Sequence, residues 1–321
     1  MRLARLFAAA AALGMTAGAQ AQTYPSKPIR FLMTAPTGSS IDVIGRIVAD
    51  KVKDPLGQPV LVEPRPGAGG TLATDLGAKA APDGYTMVLS FNGPLAFGPH
   101  MYTKLPYDPF KDLAPVIITT SQPNLLVVSA ALPVRNVREF VAYAKANPGK
   151  LNYASVGAGS SSHLTMELLK ANANLFMVHI PFNGSPPAAA SVAANETQAL
   201  FAVPTAVTPL VEAGKMRALA VSGLTRYSVM PNIPTLAEGG VEKFEALAWN
   251  GVVFPAGTPR PIIERMNREM DAALKSTDVR EKLRNAGLDP VGGTPEDFAR
   301  LIRSESDKWA PIIKRTGAKI D

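Results

Sequence analysis

The sequence contains no cysteine. That excludes disulfides, thiolate metal sites and a cysteine nucleophile. Histidine is scarce too: His100, His163 and His179 are the full set. There is no H-E-x-x-H and no G-x-S-x-G, so the zinc-protease and serine-hydrolase signatures are missing. Neither glycine-rich turn of dinucleotide type is complete, and none carries a Walker lysine. Aromatic residues make up only 7% of the chain. The lysines and arginines are scattered along helices without a continuous stripe, which excludes nucleic acid as a partner. Beyond residue 21 no apolar run is long enough to span a bilayer. Internal repeats and low-complexity linkers are lacking. No cofactor and no metal are expected.

What is present begins at the N-terminus. Arg2 and Arg5 precede an apolar run over residues 6–15, and Ala19-Gln20-Ala21 closes it with small residues. A basic start, a short hydrophobic core and an A-x-A-like end make a secretory signal peptide over residues 1–21, with Gln22 as the first mature residue. The arginines are not adjacent, which points to the general secretory route. With no cysteine after the cleavage point, no lipid can be attached there. The mature chain is expected outside the cytoplasm.

The chain has 321 residues, enough for two ordinary domains or one large one. Hydrophobic residues make up 46%, enough for a core that needs no disulfides. Formal charge is +7, and losing Arg2 and Arg5 leaves +5. That balance reads as solubility charge, with a field that could also steer anions.

Short β-rich runs alternate with helical ones. The strand candidates are 29–34, 60–63, 86–90, 116–118, 124–129, 151–155, 176–181, 199–202, 216–221 and 248–254. They lack strict polar alternation, as strands covered on both faces do. Helices are predicted over 41–53, after the Asn136/Glu139 capping box, after Thr258-Pro259 and after Thr294-Pro295. The Met and Trp positions of their apolar stripes, Met266, Met270 and Trp309, are expected in the core. This alternation predicts an α/β protein with mostly parallel sheets. Strand-like chain near 120–125 and 247–252 would join two domains.

Three strand-to-helix turns are rich in Gly, Ser and Thr: 35–40, 67–70 and 157–162. Such turns aim free backbone N–H groups outward from a helix start, with the positive end of the helix dipole behind them. They bind carboxylate or phosphate without a charged side chain, and hydroxyls add donors. Each alone is also ordinary capping. Three at equivalent positions define a crevice at the carboxyl ends of the strands. His163, two residues after Ser161, is either a locally bonded helix-start histidine or a catalytic base, and no orienting acid is identified.

Many segments together carry a family resemblance. They include Tyr24-Pro25-Ser26-Lys27-Pro28-Ile29-Arg30, Glu63-Pro64-Arg65-Pro66-Gly67-Ala68-Gly69-Gly70, Pro82-Asp83-Gly84-Tyr85-Thr86, Leu105-Pro106-Tyr107-Asp108-Pro109, Ala213-Gly214-Lys215-Met216-Arg217-Ala218-Leu219-Ala220-Val221 and Pro255-Ala256-Gly257-Thr258-Pro259. In order and over the whole mature chain, these resemble the Bug family of extracytoplasmic solute receptors, the binding proteins of tripartite tricarboxylate transporters. The resemblance implies a two-lobed periplasmic binding protein of Venus-flytrap type, with parallel-rich sheets flanked by helices. The chain would cross between lobes twice, residues 22–124 and 249–321 forming one lobe and 125–248 the other. It further implies a monomer with no catalytic residues, a small organic acid as ligand and membrane permease subunits as partners.

Carried over residue by residue, the ligand would be met by Thr37, Gly38, Ser39, Ser40 and Asp42 from the first turn. Gly159, Ser160, Ser161 and His163 would face them. Ser90, Phe91 and Asn92 would line the first lobe, Phe182, Asn183, Phe201 and Pro204 the second, and Trp249 the crossing strand. The family's Pro-Gly-Gly turn is Thr37-Gly38-Ser39 here, its Tyr-Lys-Gly is Phe182-Asn183-Gly184, and an acid common after the Phe201 position is Ala202. These departures remove a phenol, a cation and a carboxylate and, with the aromatic candidates, tilt toward an aromatic or otherwise apolar acid over a polar amino acid or citrate; two anion-suited turns on opposite lobes favour a diacid over a monoacid. Two other readings share these residues: a secreted α/β hydrolase or isomerase using His163 with a nearby serine, and a solute-sensing subunit for a signalling partner.

Overall fold

The computed structural model describes residues 24–320. The predicted signal peptide, 1–21, lies outside the described residues.

The chain opens β1 (Ile29–Met33), α1 (Ser40–Leu56), β2 (Val60–Pro64), α2 (Thr71–Ala78), β3 (Thr86–Phe91) and, after a π-helical turn at Gly93–Phe97, α3 (Gly98–Met101) and β4 (Leu113–Pro123). Asn124 alone separates β4 from β5 (Leu125–Ser129). Then come α4 (Val137–Ala146), β6 (Asn152–Ser155), α5 (Ser161–Ala173), β7 (Val178–Pro181), α6 (Ser185–Ala193), β8 (Ala199–Ala202), α7 (Pro204–Glu212) and β9 (Met216–Val221). The return strand β10 (Leu247–Pro255) leads to α8 (Arg260–Lys275), α9 (Thr277–Asn285), β11 (Pro290–Gly292) and α10 (Pro295–Thr316).

Two sheets result, ordered β11-β4-β10-β3-β1-β2 and β7-β6-β8-β5-β9. The expectation of mostly parallel sheets needs correction. β1 pairs in parallel with β2 and β3, and β6 with β7 and β8. The pairings of β10, β11 and β5 are antiparallel. The reason is the route of the chain. β4 carries it towards the second sheet and β10 brings it back, so the two neighbours must run in opposite directions. β11 was not foreseen: it is three residues long and pairs at Pro290 and Gly292 with Thr120 and Ile118.

The helix starts follow the sequence signals. Asn136 Oδ1 accepts the Glu139 N–H at 2.9 Å, while the Glu139 carboxylate reaches the N–H of Arg135 at 2.7 Å. Thr294 and Asp297 close a full capping box on α10. Both satisfy donors that a helix start leaves orphaned.

Burial on both faces of each sheet is visible in β5. Leu126 and Val128 join one apolar cluster, and Leu125 and Val127 another, as side-chain alternation along a strand dictates. The larger cluster runs through both sheets and takes in Phe140, Phe201, Trp249, Phe298 and Trp309. Met266 and Met270 are fully buried between α8 and the first sheet. These methionines and Trp309 are core, as expected. Close packing decides one glycine: a Cβ on Gly251 of β10 would lie 2.2 Å from Phe298 Cζ. No described helix is long and apolar enough to cross a membrane.

Candidate ligand-binding site

The two sheets meet at a cleft. Its walls are the turns that leave the strands for helices, as the crevice rule for open α/β sheets predicts.

The first wall is the turn from β1 to α1. Ser39 is the N-cap: its Oγ accepts the Asp42 N–H at 3.3 Å. Gly38 takes φ +81, and its N–H donates to Asp42 Oδ2 at 3.0 Å. The other Asp42 oxygen accepts from Arg46 Nε at 2.9 Å. Thr34 Oγ1 pins the turn to the carbonyl of Leu89 at 2.9 Å.

The facing wall, from β6 to α5, repeats this design. Ser160 Oγ accepts the His163 N–H at 3.3 Å and donates to the Gly157 carbonyl at 2.6 Å. Gly159, at φ +78, donates its N–H to His163 Nδ1 at 3.2 Å. An accepting Nδ1 puts the proton of the neutral ring on Nε2. The ring stacks on His179 with centroids 4.0 Å apart. Burial, and then the Lys170 charge, push the His163 pKa down to about 4. Burial, then the neighbouring His163, push His179 down to about 3. His179 Nε2 is engaged with Ser155 Oγ at 2.6 Å. Beneath them Glu167 accepts from the Tyr153 hydroxyl and pairs with Lys170 at 2.6 Å.

Eight of the sequence-predicted residues line the cleft: Ser39, Ser40, Phe91, Asn92, Ser160, Ser161, Asn183 and Trp249. The others do not, for distinct reasons. Asp42 and His163 are turned back onto glycine amides of their own turns. Thr37 and Gly38 stand exposed on the outer side. Gly159 spends its N–H on His163. Ser90 is fully buried behind the wall, 3.0 Å from Thr74 Oγ1. Phe201 is core, its ring 6.1 Å from Phe244. Phe182 packs on the apolar cluster behind the second sheet. Pro204 opens α7 and its carbonyl accepts from Thr208 Oγ1 at 3.0 Å. Trp249 borders the cleft but is 1% exposed, its indole packed on Phe298 and its Nε1 donating to Glu305 on α10 at 3.3 Å.

The residue-by-residue reading missed the 67–70 turn as a wall, and the amides of Asn124 and Asn250. Asn124 sits between the two crossing strands, 1% exposed. Its Nδ2 makes only long contacts, 3.4 Å to Thr165 and 3.5 Å to Ser161. A buried amide at the junction of two apolar strands is the signal that could have found it. Asn250 Nδ2 donates to Thr120 Oγ1 at 2.9 Å.

Among the described residues, no Lys, Arg, His, Asp or Glu lines this cleft. What it presents is hydroxyls, amides, the N-terminal ends of α1, α5 and α6, and the aromatic surface of Phe91. That set suits an anion bound by neutral donors. It offers no group placed for proton transfer.

Two sheets with such a cleft between them are the architecture of the periplasmic binding-protein class. The chain belongs to the tripartite tricarboxylate transporter family receptors (TctC), whose profile matches residues 44–318. It is 37% identical to the protein BugT of Bordetella pertussis over 311 residues, covering 97% of this chain and 95% of that one. Among solved structures it is similar to Rhodopseudomonas palustris Rpa4515 with adipate, with TM-score 0.90, 32% identity and 92% and 100% of the two chains covered. It is also similar to MatC of the same organism with bound malate, with TM-score 0.85, 30% identity and 90% and 100% covered.

Proposed function

We propose that this protein captures a small organic acid, a dicarboxylate or aromatic carboxylate, between its lobes and delivers it to the membrane permease of a tripartite tricarboxylate-type transporter. It works in the periplasm as a monomer, exported through residues 1–21. One lobe is 22–124 with 249–321, the other 125–248, and the lobes close on the ligand.

The observation that carries the reading is the matched pair of turns. Ser39-Ser40 and Ser160-Ser161 stand at two helix starts on opposite walls, and among the described residues no charged side chain lines the cleft. Each start can hold one carboxylate with N–H groups and hydroxyls, so the pair suits a diacid. Phe91 offers apolar surface for the part between the acid groups. The adipate and malate in two similar structures are diacids, which supports the same ligand chemistry here.

The test is a thermal-shift screen of the purified protein against mono-, di- and tricarboxylates, aliphatic and aromatic. A ligand that binds only the native state raises its stability with concentration. A diacid is expected to give the largest shift. Stabilisation only by solutes without an acid group would refute the reading.

A further inference from the structure

The lips of the cleft touch each other through glycines. A Cβ built on Gly69 would lie 2.2 Å from the carbonyl oxygen of Ala158. On Gly157 it would lie 3.1 Å from Gly69 Cα. On Gly184 it would meet the Pro36 ring at 2.7 Å, and on Gly93 the carbonyl oxygen of Gly159 at 2.7 Å. In every pair one member belongs to a turn of the first sheet and the other to a turn of the second. The obstructing atoms are backbone and a proline ring, which cannot swing aside as the end of a long side chain can.

We propose that this glycine seam is the closing contact of the receptor. It sets how near the lips approach, and thereby the size of acid that the shut cleft encloses. The contact stands on the geometry alone; the consequence for acids rests on the carboxylate-binding reading above. A methyl group on Gly69 would hold the lips apart by roughly 1 Å, the shortfall from ordinary van der Waals separation. A short diacid would then lose its grip on one lip, while a longer one would still reach both.

Backbone conformation also favours glycine here, since Gly69 has φ +60 and Gly184 φ +103. The structure supplies controls for that effect. Gly57 and Gly214 have φ +66 and +67, and a Cβ on either meets nothing within 4 Å. An alanine there carries the conformational cost met at Gly69 (φ +60, ψ 26) without the obstruction, whereas Gly184, at φ +103 and ψ 178, carries a larger backbone cost and is judged on the label distances.

The chain has no cysteine, so labels can be placed at will. Leu76, 45% exposed on α2, and the exposed Ala194 at the end of α6 are each replaced by cysteine and spin-labelled. Pulsed electron resonance then gives the distance between lobes. The labelled protein is compared with its Gly57→Ala, Gly214→Ala, Gly69→Ala and Gly184→Ala forms, alone and with succinate or adipate. The shortest-distance population is expected in the parent and both controls and absent from the two seam variants. Succinate affinity should fall at least tenfold further in Gly69→Ala than in the controls, with the preference shifting toward adipate. Seam variants that reach the parent's shortest distance, or a Gly69→Ala form that binds both acids as the controls do, overturn the proposal. If neither acid binds the parent, these acids are not its ligands, and the seam is judged on distances alone. A shortest population missing only from the seam variants supports it; one common to all forms overturns it.

Discussion

Asp42 and His163 do the same work in two different turns. Each sits at the third position of its helix and accepts the N–H of the glycine four residues earlier, at 3.0 Å for Asp42 and 3.2 Å for His163. Both glycines have φ near +80, and both turns cap their helix with the serine that follows. A carboxylate and a neutral imidazole are interchangeable here because each needs only one accepting lone pair. The resemblance marks both residues as ligand contacts. The structure makes them the braces that hold the serine-bearing turns in shape.

A brace can be replaced by another acceptor. Asp42→Asn and His163→Gln are expected to keep most of the acid affinity. His163→Ala leaves the buried Gly159 N–H without its partner, a loss of about 1–3 kcal/mol, and should weaken binding several-fold to about a hundredfold, whereas Asp42→Ala frees the exposed Gly38 N–H to water and should weaken it less. Calorimetric titration checks this. Asn and Gln variants as weak as the alanine ones would restore direct contact with the ligand.

Phe91 and Phe201 separate wall from core. Phe201 is fully buried, so Phe201→Ala should cost about 3–5 kcal/mol of stability, the usual price of deleting a core phenylalanine. Phe91→Ala should act mainly on affinity. Urea unfolding of both variants decides it, and equal loss of stability would contradict this division.

The buried histidines predict acid sensitivity. An unfolded chain protonates them near pH 6.5, while the folded protein holds His163 neutral down to about 4 and His179 to about 3. Below pH 6.5 the unfolded state therefore binds more protons, and stability falls with pH. The fall from His163 runs from about 6.5 to about 4, then levels. Glu238 and Asp278, held down to about 2 by Arg226 and Lys51 respectively, add loss only below the ordinary carboxylate range. Melting temperature between pH 7 and pH 5 should drop in the wild type and drop less in His163→Gln. Equal slopes would refute the assignment.

A cleft without a carboxylate has no counter-charge for an ammonium group. Aspartate should bind at least roughly tenfold more weakly than succinate, the same diacid without its amine, since an unpaired buried charge costs more than a neutral group. Competition between the two in a thermal-shift titration measures it. A preference for aspartate would place an acceptor in the cleft that this account lacks.

The sequence reveals what is periodic and local. Asn136 and Thr294-Pro295 mark helix starts through capping chemistry that needs no distant partner, while Thr258-Pro259 marks one only through the fixed φ of proline, since Pro259 at the N-cap makes no side-chain bond. The Ile263, Met266 and Met270 stripe shows its buried face through spacing. β11 is hidden because three residues around Pro290 and Gly292 carry no pattern. The antiparallel pairing of β10 follows from the route of the chain through both sheets, which no local run of residues encodes. Phe91 and Phe201 look alike at the ends of two apolar strands, and only the packing of Phe244 against Phe201 tells them apart. Asn124 is one amide among many until β4 and β5 place it at the junction.

The central claim is that a carboxylate is held across the cleft by neutral donors. Its most direct test is calorimetric titration of the best acid from the screen into wild type, Ser161→Ala and Asn124→Ala. A lost neutral donor costs on the order of 1 kcal/mol, and a buried partner left unsatisfied about 1–3. Each variant is therefore predicted to stay folded and bind several-fold to roughly a hundredfold more weakly. Wild-type affinity in both variants would contradict the account.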